Sequence, residues 1–480
     1  MSELKVNKIT PKTGTSIQLG ESGDTITIPC GATLTNNGTA SGFGLSFCTT
    51  VKSSPFTATA NKGFLINTGS TVTVTLPASP SAGDEVIIID QTGNAQTNAI
   101  TIGRNGSKIK GSCIDGTLEV KRGGLRLVYS GSSQGWVTVT SGNDATAVTE
   151  KYITATGGTV LTCGDYKTHV FTADANFVVS CAGNTGGSNT VDYLVVAAGG
   201  SAGGFYFGGG GGGGGTRLSN SYSLSAPTMS PLSNPTGLTL TATSYPITVG
   251  AGGSAPNNGS TAPTVGTSGS TSVFSTIASA GGGGGGNEDN DAVAGGSGGG
   301  SGGYNSPSPR GPGGAGNTPP VSPPQGNTGG AGGGGSVPTG SAYGAGGGGA
   351  GGVGVASRPG LGTGGVGTYV SDSFFGPTAP SYGTPGPVSS TRYYAGGGGG
   401  GLGPGGPTCG DVPGGIALGG SGGGANGRGP ANSPTFAGFS GTANTGGGGA
   451  GTGNNSPAPN GGKGGTGGSG IVAIRYKFQN

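Results

Sequence analysis

The sequence carries little charge of either sign. Asp, Glu, Lys and Arg make up 8% of the 480 residues, and the net charge is +3; average proteins have about 25% charged residues. Apart from Lys121-Arg122 the basic residues are scattered singly, whereas a nucleic-acid surface needs clustered cations. We therefore expect no nucleic-acid partner.

Closely spaced metal ligands are also lacking. The six Cys lie far apart without a CxxC pair, and His169 is the only histidine, whereas zinc sites draw their ligands from close pairs. We expect no metal site, no cofactor, and small, partly buried thiols. A Cys163–Cys181 disulfide across a hairpin is the alternative, and His169 is interpreted as an ordinary strand residue.

Long apolar runs are absent too. No window holds the roughly 18 apolar residues of a membrane span, and the start MSELKVNK lacks the apolar core of a signal peptide. These absences predict a protein made in a cytoplasm.

Glycine is abundant instead, and it is unevenly distributed. Of 120 Gly, 26 lie in residues 1–190 and 94 in residues 191–480, while average usage is about 7%. The chain therefore has two compositional regimes. Both favour an all-β architecture, because no segment has a helical pattern.

The first regime is rich in short β-type runs. Residues 1–44 contain short strands separated by turns, with too few apolar residues to fold alone. Residues 45–142 contain seven strand-like runs at about ten-residue spacing, which predicts a β-sandwich; the runs are FLIN, TVTVTL, EVIIID, AITI, TLEV, LRLVY and WVTVT.

Several motifs in this part resemble a known family. The succession LPASPSAGDEVIIID, NAITIGRNGSKI and LRLVYSGSSQGW, with the opening MSELKVNKI and SGDTITIPCGATLTNNGTASGFG, is similar to tail fibre proteins of marine and cyanobacterial bacteriophages. The resemblance covers about the first 140 residues. It implies a homotrimeric fibre on the virion, with residues 1–44 docking to a phage tail, baseplate or adaptor protein.

Two apolar segments bracket the glycine-rich part. Strand-like runs in residues 143–198 end with VDYLVVA, and the chain closes with IVAIRYKF. We interpret 143–198 and the closing strand 471–480 as one small β-scaffold, with residues 199–470 inserted between its strands.

The insertion contains Gly runs without the strict triplet period of collagen. A Gly run can form an extended three-residue helix whose N–H and C=O groups point outward, so neighbouring helices can pair them laterally. This predicts packed polyglycine II-type helices. A flexible linker is the alternative; the uninterrupted runs are 208–215, 281–286, 332–335, 346–349, 396–401 and 446–449.

The run pattern over 199–470 resembles the Gly-rich receptor-binding adhesins of some T-even-type phages. The resemblance is one of composition and run order, and here the Gly-rich part follows a fibre shaft in the same chain. It implies a receptor-binding tip whose loops contact the host.

Catalytic constellations are sparse in the insertion. Glycoside hydrolysis usually needs paired carboxylates, and NEDND at 287–291 is the one acidic cluster, which we interpret as a solvated loop tip, with a weak calcium site as the alternative. No Gly run leads into the Gly-Lys-Ser/Thr of a phosphate loop. We therefore expect no enzyme activity.

Aromatic residues between the Gly runs are the candidate receptor contacts, since tyrosine in adaptable loops gives large contact area at small entropic cost. Capping of the lattice ends is the alternative for any single ring. Segment 368–394 is the first choice for the receptor loop; the candidate rings are Tyr304, Tyr343, Tyr369, Phe374, Phe375, Tyr382, Tyr393 and Tyr394.

Together these observations favour a virion tail fibre that binds a host cell-surface glycan or outer-membrane protein without catalysis. Two alternatives stay open at this point. They are a polysaccharide-degrading fibre and a structural Gly-rich envelope protein.

Overall fold

The computed structural model is nearly all β, with very little helix, which confirms the predicted all-β class. The helices in the described part of the chain are two short 3-10 helices, Asp372–Phe374 and Gly376–Ser381. None of the described helices has the length and apolar character needed to cross a membrane. The structure describes residues 14, 16, 46–139, 152–183, 188–204, 207–224, 229–256, 264–303, 311–332, 343–357, 362–402, 417–427, 437–453 and 462–479.

Residues 46–139 form the first module, which has two sheets around one core. Its strands are β1 (Ser46–Phe47), β2 (Phe56–Thr57), β3 (Lys62–Ile66), β4 (Val72–Thr75), β5 (Glu85–Asp90), β6 (Ile100–Gly103), β7 (Gly116–Leu118), β8 (Gly124–Tyr129) and β9 (Trp136–Thr138).

Alternation of buried and half-exposed residues, which is strict in β4, β5 and β7, is what makes these segments strands. In β5, for example, Val86 and Ile88 point into the core while their neighbours are half-exposed, which is the period of two expected for a sheet with one buried face. The seven runs picked out from the sequence correspond to β3–β9.

The connectivity of the first module differs from that of an antiparallel sandwich. Successive strands alternate between the sheets, so that β1, β3 and β5 pair in parallel in one sheet and β2, β4 and β6 pair in parallel in the other. The chain therefore coils like a two-sided solenoid before the antiparallel strands β7, β8 and β9 close it. A strand in a parallel solenoid and a strand in an antiparallel sandwich show the same alternation of apolar residues. The sequence pattern therefore could not distinguish the two topologies.

Asp90, at the end of β5, is a buried carboxylate that organises the adjoining turns. Burial by itself raises the pKa of Asp90, but hydrogen bonds outweigh it and hold the pKa below its ordinary value. The donors are Thr68 Oγ1 and the backbone N–H groups of Gly93, Ala95 and Arg122.

A second pair of sheets forms the scaffold. The central sheet has the order β11-β12-β22-β14-β15, and the facing sheet has the order β10-β13-β17-β18-β19. The scaffold strands are β10 (Ile153–Thr156), β11 (Thr159–Cys163), β12 (Tyr166–Phe171), β13 (Ala175–Ala182), β14 (Thr190–Val196), β15 (Thr216–Leu218), β16 (Leu238–Thr239), β17 (Ser244–Thr248), β18 (Ser272–Phe274), β19 (Ile277–Ser279) and β22 (Ile471–Lys477). The strands β20 (Thr368–Ser371) and β21 (Thr391–Tyr394) form a separate two-stranded sheet.

The closing strand β22 lies between β12 and β14 and is antiparallel to both. The Gly-rich region therefore leaves and rejoins the central sheet on adjacent strands, which is the arrangement that the two bracketing apolar runs predict. The scaffold is larger than residues 143–198, however, because β15–β19 come from within 199–470.

Both faces of the central sheet are covered. One face packs on the facing sheet through residues such as Tyr193, Val195 and Ile474, and the other packs under residues 368–394 through Leu194 and Ile471. Strands buried on both faces read as continuous apolar runs, which accounts for the sequences of β14 and β22.

Asp192 is a buried carboxylate in the scaffold whose oxygens accept several hydrogen bonds, whereas Nε and Nη1 of the buried Arg475 have no hydrogen-bond partner among the described residues. Asp192 on β14 is fully buried, and its backbone lies directly opposite that of Arg475 in the register of β14 and β22. The carboxylate accepts hydrogen bonds from the Ser219 and Ser221 hydroxyls and from the backbone N–H groups of Ser221 and Tyr222.

His169 lies in β12, as the sequence predicts, and it is fully buried. Its Nδ1 is 2.7 Å from the Gly157 carbonyl oxygen, its Nε2 is 2.9 Å from the Tyr476 hydroxyl, and its ring stacks on Tyr476. Burial lowers the pKa of His169 below its ordinary 6.5, although the bond to Gly157 opposes this shift.

The Gly runs form the Gly lattice, in which extended segments pair laterally. Every third residue of a run donates its N–H to the same neighbouring run, which is the period of a three-residue polyglycine II-type helix. In run 209–215 the donors Gly209, Gly212 and Gly215 bond to the carbonyls of Gly286, Gly283 and Ala280.

Run 209–215 is surrounded on all sides. Its seven N–H groups donate to three neighbouring segments, and six of its seven carbonyls accept from three others, so these groups are paired without any side chain. The six neighbouring segments are 197–203, 280–286, 297–300, 345–348, 398–401 and 446–449.

Only glycine fits inside this arrangement. A Cβ added at Gly211 would lie 2.6 Å from the carbonyl carbon of Gly200 and 2.9 Å from that of Ser201, and nearer still to the Gly200 oxygen. The close approach of backbones, and not a positive φ, is what requires glycine here.

The cysteines in the described ranges are free thiols. Cys163 is on β11 of the central sheet and Cys181 is on β13 of the facing sheet, so they do not face each other across one hairpin. The segment 1–44, apart from residues 14 and 16, lies outside the described residues.

Candidate functional site

Residues 368–394 form a folded unit, the cover segment, instead of an open loop. Strands β20 and β21 pair as an antiparallel hairpin, and the two 3-10 helices fill the connection between them. The Thr168 hydroxyl of β12 donates to the Phe374 carbonyl at 2.7 Å, and a Cβ at Gly376 would lie 2.7 Å from the Cβ of Cys163. The cover segment therefore sits directly on the scaffold.

This placement corrects the expected role of three predicted receptor contacts. Phe374, Phe375 and Tyr394 are each 1% exposed or less and belong to the core beneath the cover segment. The physical reason is that the apolar outer face of the central sheet needs a covering layer, and these rings provide it. They hold the cover segment in place and present no area to a ligand.

The remaining predicted rings have different surroundings. Tyr382 is half-buried and stacks on Phe375, with ring centroids 5.0 Å apart. Tyr343 is half-buried at the start of a Gly run, where it forms a β-bridge with Leu402. Tyr304 lies outside the described residues. Contact of these tyrosines with a receptor stays a prediction.

Tyr369 and Tyr393 are brought together at the wall of a cavity. The cavity has a volume of about 420 Å³ and is partly open to solvent, within the roughly 300–1,000 Å³ typical of ligand pockets. We call it the aromatic cavity; it is lined by Ser230, Pro231, Leu232, Pro324, Asn327, Ala350, Gly351, Val366, Gly367, Thr368, Tyr369, Pro387 and Tyr393.

The two tyrosines are direct cross-strand partners on β20 and β21. Their ring centroids are 5.0 Å apart with an interplanar angle of 34°. Tyr393 is buried against Gly386, and its hydroxyl accepts a hydrogen bond from the Val388 N–H. Burial raises the pKa of Tyr393, so its hydroxyl is neutral at physiological pH. Tyr369 is half-buried and is the more accessible ring of the pair.

Ser230 contributes a hydrogen-bond donor to the cavity wall. Its Oγ accepts from the Thr368 hydroxyl at 2.7 Å and from the Leu232 N–H at 3.2 Å. Both lone pairs of Oγ are thus engaged. Within the described part of the chain the Ser230 O–H has no acceptor of its own.

Asn327 contributes an acceptor. Its amide nitrogen donates to the carbonyls of Gly349 and Ala350 at 3.0 and 3.2 Å. These two bonds fix the orientation of the side chain. The amide oxygen has no partner among the residues that the structure describes.

The acidic cluster at 287–291 lies elsewhere and is a tight loop. Asn287 is fully buried, and its Oδ1 accepts from the backbone N–H groups of Asp289 and Asn290. Asp289 is exposed. In the described ranges no group of three His, Cys, Asp or Glu side chains is close enough to hold a metal ion, and none of the residues lining the aromatic cavity is acidic.

Sequence reasoning found the two tyrosines of the cavity but missed its other walls. Ser230 comes from one segment, and Pro324 and Asn327 come from another. Hydrogen bonds to Thr368 and Tyr369 of the cover segment hold Ser230 at the cavity, and bonds between lattice segments hold Asn327 there. Polar and proline residues next to Gly runs occur throughout the insertion, so no local signal distinguished these three.

A family model described as a glycine-rich domain matches residues 172–477, more than half of the chain. The chain therefore belongs to this family of glycine-rich domain proteins. The match begins near β13 and ends with β22, so it covers both the lattice and most of the scaffold. No curated protein matches the chain in sequence.

Proposed function

We propose that this protein is a bacteriophage tail fibre whose Gly-rich domain binds the host cell surface without catalysis. The observation that carries the proposal is the aromatic cavity, a concave site built by Tyr369 and Tyr393 on a close-packed Gly lattice. A pocket with aromatic walls and a few convergent polar groups is the usual form of a ligand site.

Rigidity of the lattice supports a binding role. Asn327 and Ala350 at the cavity wall belong to segments whose backbone N–H groups are bonded to neighbouring segments. A ligand then meets a wall that is already ordered, and binding pays little conformational entropy. Loops on a rigid scaffold can also vary in sequence without disturbing it, which suits a surface that must match a host receptor.

The remaining parts of the proposal rest on the resemblance of residues 1–140 to tail fibres. The protein is a homotrimer on the virion, residues 1–44 dock to a tail or baseplate protein, and the receptor is a host glycan or outer-membrane protein. The solenoid-like first module is compatible with a fibre shaft. No cofactor is required for binding of this kind.

Two measurements on the full chain test this proposal. Light scattering should give a mass three times the 44.9 kDa of one chain. Fluorescently labelled protein should bind saturably to intact cells of some strains in a bacterial panel that includes cyanobacteria. A monomer that binds to none of them would refute the proposal.

Deletion of the cover segment is not a suitable control, because it would expose the apolar face of the central sheet. The point variant Tyr369→Ala removes the accessible ring of the cavity. Tyr245→Ala is the matched control, since Tyr245 is also half-buried and lies outside the cavity on β17. Cell binding should fall in the first variant and persist in the second.

A further inference from the structure

We infer that the aromatic cavity binds a neutral pyranose residue of a surface glycan, with Tyr369 as the stacking surface. The inference rests on the proposed function and specifies its ligand: an uncharged sugar, and neither an acidic sugar nor a protein loop. Three observations support it: the absence of charged residues from the cavity wall, the pair of tyrosine rings, and the polar groups beside that pair.

The cavity wall carries no charge. None of its lining residues is Asp, Glu, Lys or Arg. The nearest charged side chain on β21, Arg392, is occupied elsewhere, because its guanidinium donates to the backbone carbonyls of Pro380, Tyr382 and Gly383. A uronate, sialate or phosphate group would lose hydration here without gaining an ion pair. A neutral ligand loses far less.

The aromatic pair suits the apolar face of a pyranose ring. Tyr393 is buried and fixed between Gly386 and Tyr369, so it supports Tyr369 from one side. Tyr369 is half-buried, which leaves part of its ring available. A pyranose has a face of C–H groups that can pack on such a ring and a rim of hydroxyls that needs hydrogen bonds. Leu232 and Val366 extend the apolar surface around it.

The polar groups at the wall match the hydroxyl rim. The Ser230 O–H is a donor without an acceptor, and the Asn327 amide oxygen is an acceptor without a donor, within the described residues. A sugar hydroxyl both donates and accepts. One donor and one acceptor, both held by other bonds, therefore give a neutral sugar the partners that it needs, and a peptide loop would have to supply them from its backbone.

The test uses the intact protein and a glycan array that pairs neutral hexose oligosaccharides with counterparts of the same backbone carrying uronic or sialic acid. Proline-rich peptides are printed on the same array. We expect binding to a subset of the neutral glycans, and binding at least tenfold weaker to their acidic counterparts. Preferential binding to acidic glycans or to peptides would overturn the inference.

Variants assign the binding to the cavity. Tyr369→Ala should weaken binding of the neutral glycan at least tenfold, whereas Tyr369→Phe, which keeps the ring, and the control Tyr245→Ala should stay within threefold of the wild-type protein. Equal binding by Tyr369→Ala, with an unchanged melting temperature, would overturn the assignment.

A measurement on the unaltered protein covers the case in which Tyr369→Ala does not fold. Saturation-transfer NMR with irradiation of the aromatic protons should enhance the C–H protons of one sugar face. Absence of this transfer for every glycan that binds would overturn the stacking role.

Cell binding separates failure of this inference from failure of the proposed function. If labelled protein binds to cells and the binding is lost after protease treatment of the cells, the receptor is a protein; the proposed function then stands and the sugar inference falls. If the protein binds to no cells, the proposed function itself falls.

Discussion

The most demanding prediction concerns a single methyl group in the Gly lattice. Gly211 lies in the middle of run 209–215, the segment enclosed by six neighbours. The φ of Gly211 lies outside the left-handed region that favours glycine, so the expected effect of Ala at this position comes from lack of space. In Gly211→Ala the new Cβ would lie 2.6 Å from the Gly200 carbonyl carbon, far inside the usual contact distance of 3.5–4.0 Å between carbon atoms.

The size of the effect follows from the hydrogen bonds at this position. Backbones must separate by about 1 Å to admit the methyl group, which disrupts the bonds Gly211 N–H to Gly449 O, Gly398 N–H to Gly211 O and Gly200 N–H to Gly212 O. Each buried group left unpaired costs about 1–3 kcal/mol. Three bonds then cost roughly 3–9 kcal/mol, which is comparable to the entire stability of a domain, about 5–15 kcal/mol.

The assay is limited proteolysis with mass readout of fragments, together with a thermal melt. We expect Gly211→Ala to lose the protease resistance of residues 199–470 and to melt at a markedly lower temperature. The control is Gly352→Ala in the same domain, where the nearest atom to the new Cβ is the Val366 Cγ1 side-chain atom at 2.9 Å and backbone atoms lie at 3.5 Å or more. If both variants resist protease and melt within about 2 °C of the wild-type protein, the lateral packing argument is wrong.

Three further predictions concern buried ionisable groups. Burial lowers the folded-state pKa of His169 below 6.5, so its contribution to stability should be complete above about pH 6.5 and decline as the pH falls. Thermal melts at pH 7.5 and 5.0 should show this decline. His169→Phe should remove most of the difference between the two melting temperatures, since the chain has no other histidine. Hydrogen bonds hold the pKa of Asp90 below its ordinary value, so the first module should lose stability as the pH falls below about 4. Asp90→Ala should abolish this acid dependence. It should also lower the free energy of unfolding at pH 7, measured by urea titration, by about 2–4 kcal/mol. Asp192→Ala should lower the free energy of unfolding by about 3–5 kcal/mol, because it leaves several buried hydroxyl and N–H donors without their acceptor and removes a negative charge that acts on the buried Arg475. Ser180→Ala, on an exposed face of β13, is the control and should cost less than 1 kcal/mol.

Much of the fold could be predicted because its signals are local. Alternation in EVIIID and TVTVTL gave the strands of the first module, and the unbroken apolar runs YLVVA and IVAIRY gave the paired strands β14 and β22. The lateral bonding of Gly runs followed from the chemistry of a backbone without side chains.

The rest depends on contacts between distant segments. Parallel pairing of β3 with β5 leaves the same alternation as antiparallel pairing. Burial of Phe374 and Phe375 depends on which segment covers the central sheet, and no local pattern in the sequence specifies that contact. Tyr369 and Tyr393 could be selected as candidate contacts, whereas Asn327 and Ser230 could not, since contacts within the Gly lattice and with the cover segment bring them to the same cavity.

The threefold bonding of run 209–215 also constrains how such a protein can change length during evolution. Inserting one glycine into the run turns every later residue by about 120°, so that its N–H faces a different neighbour. Inserting three restores the original facing and lengthens the run by about 9 Å. Insertions and deletions inside the runs of this family should therefore occur in multiples of three, and homologous chains should differ freely in length only between the runs.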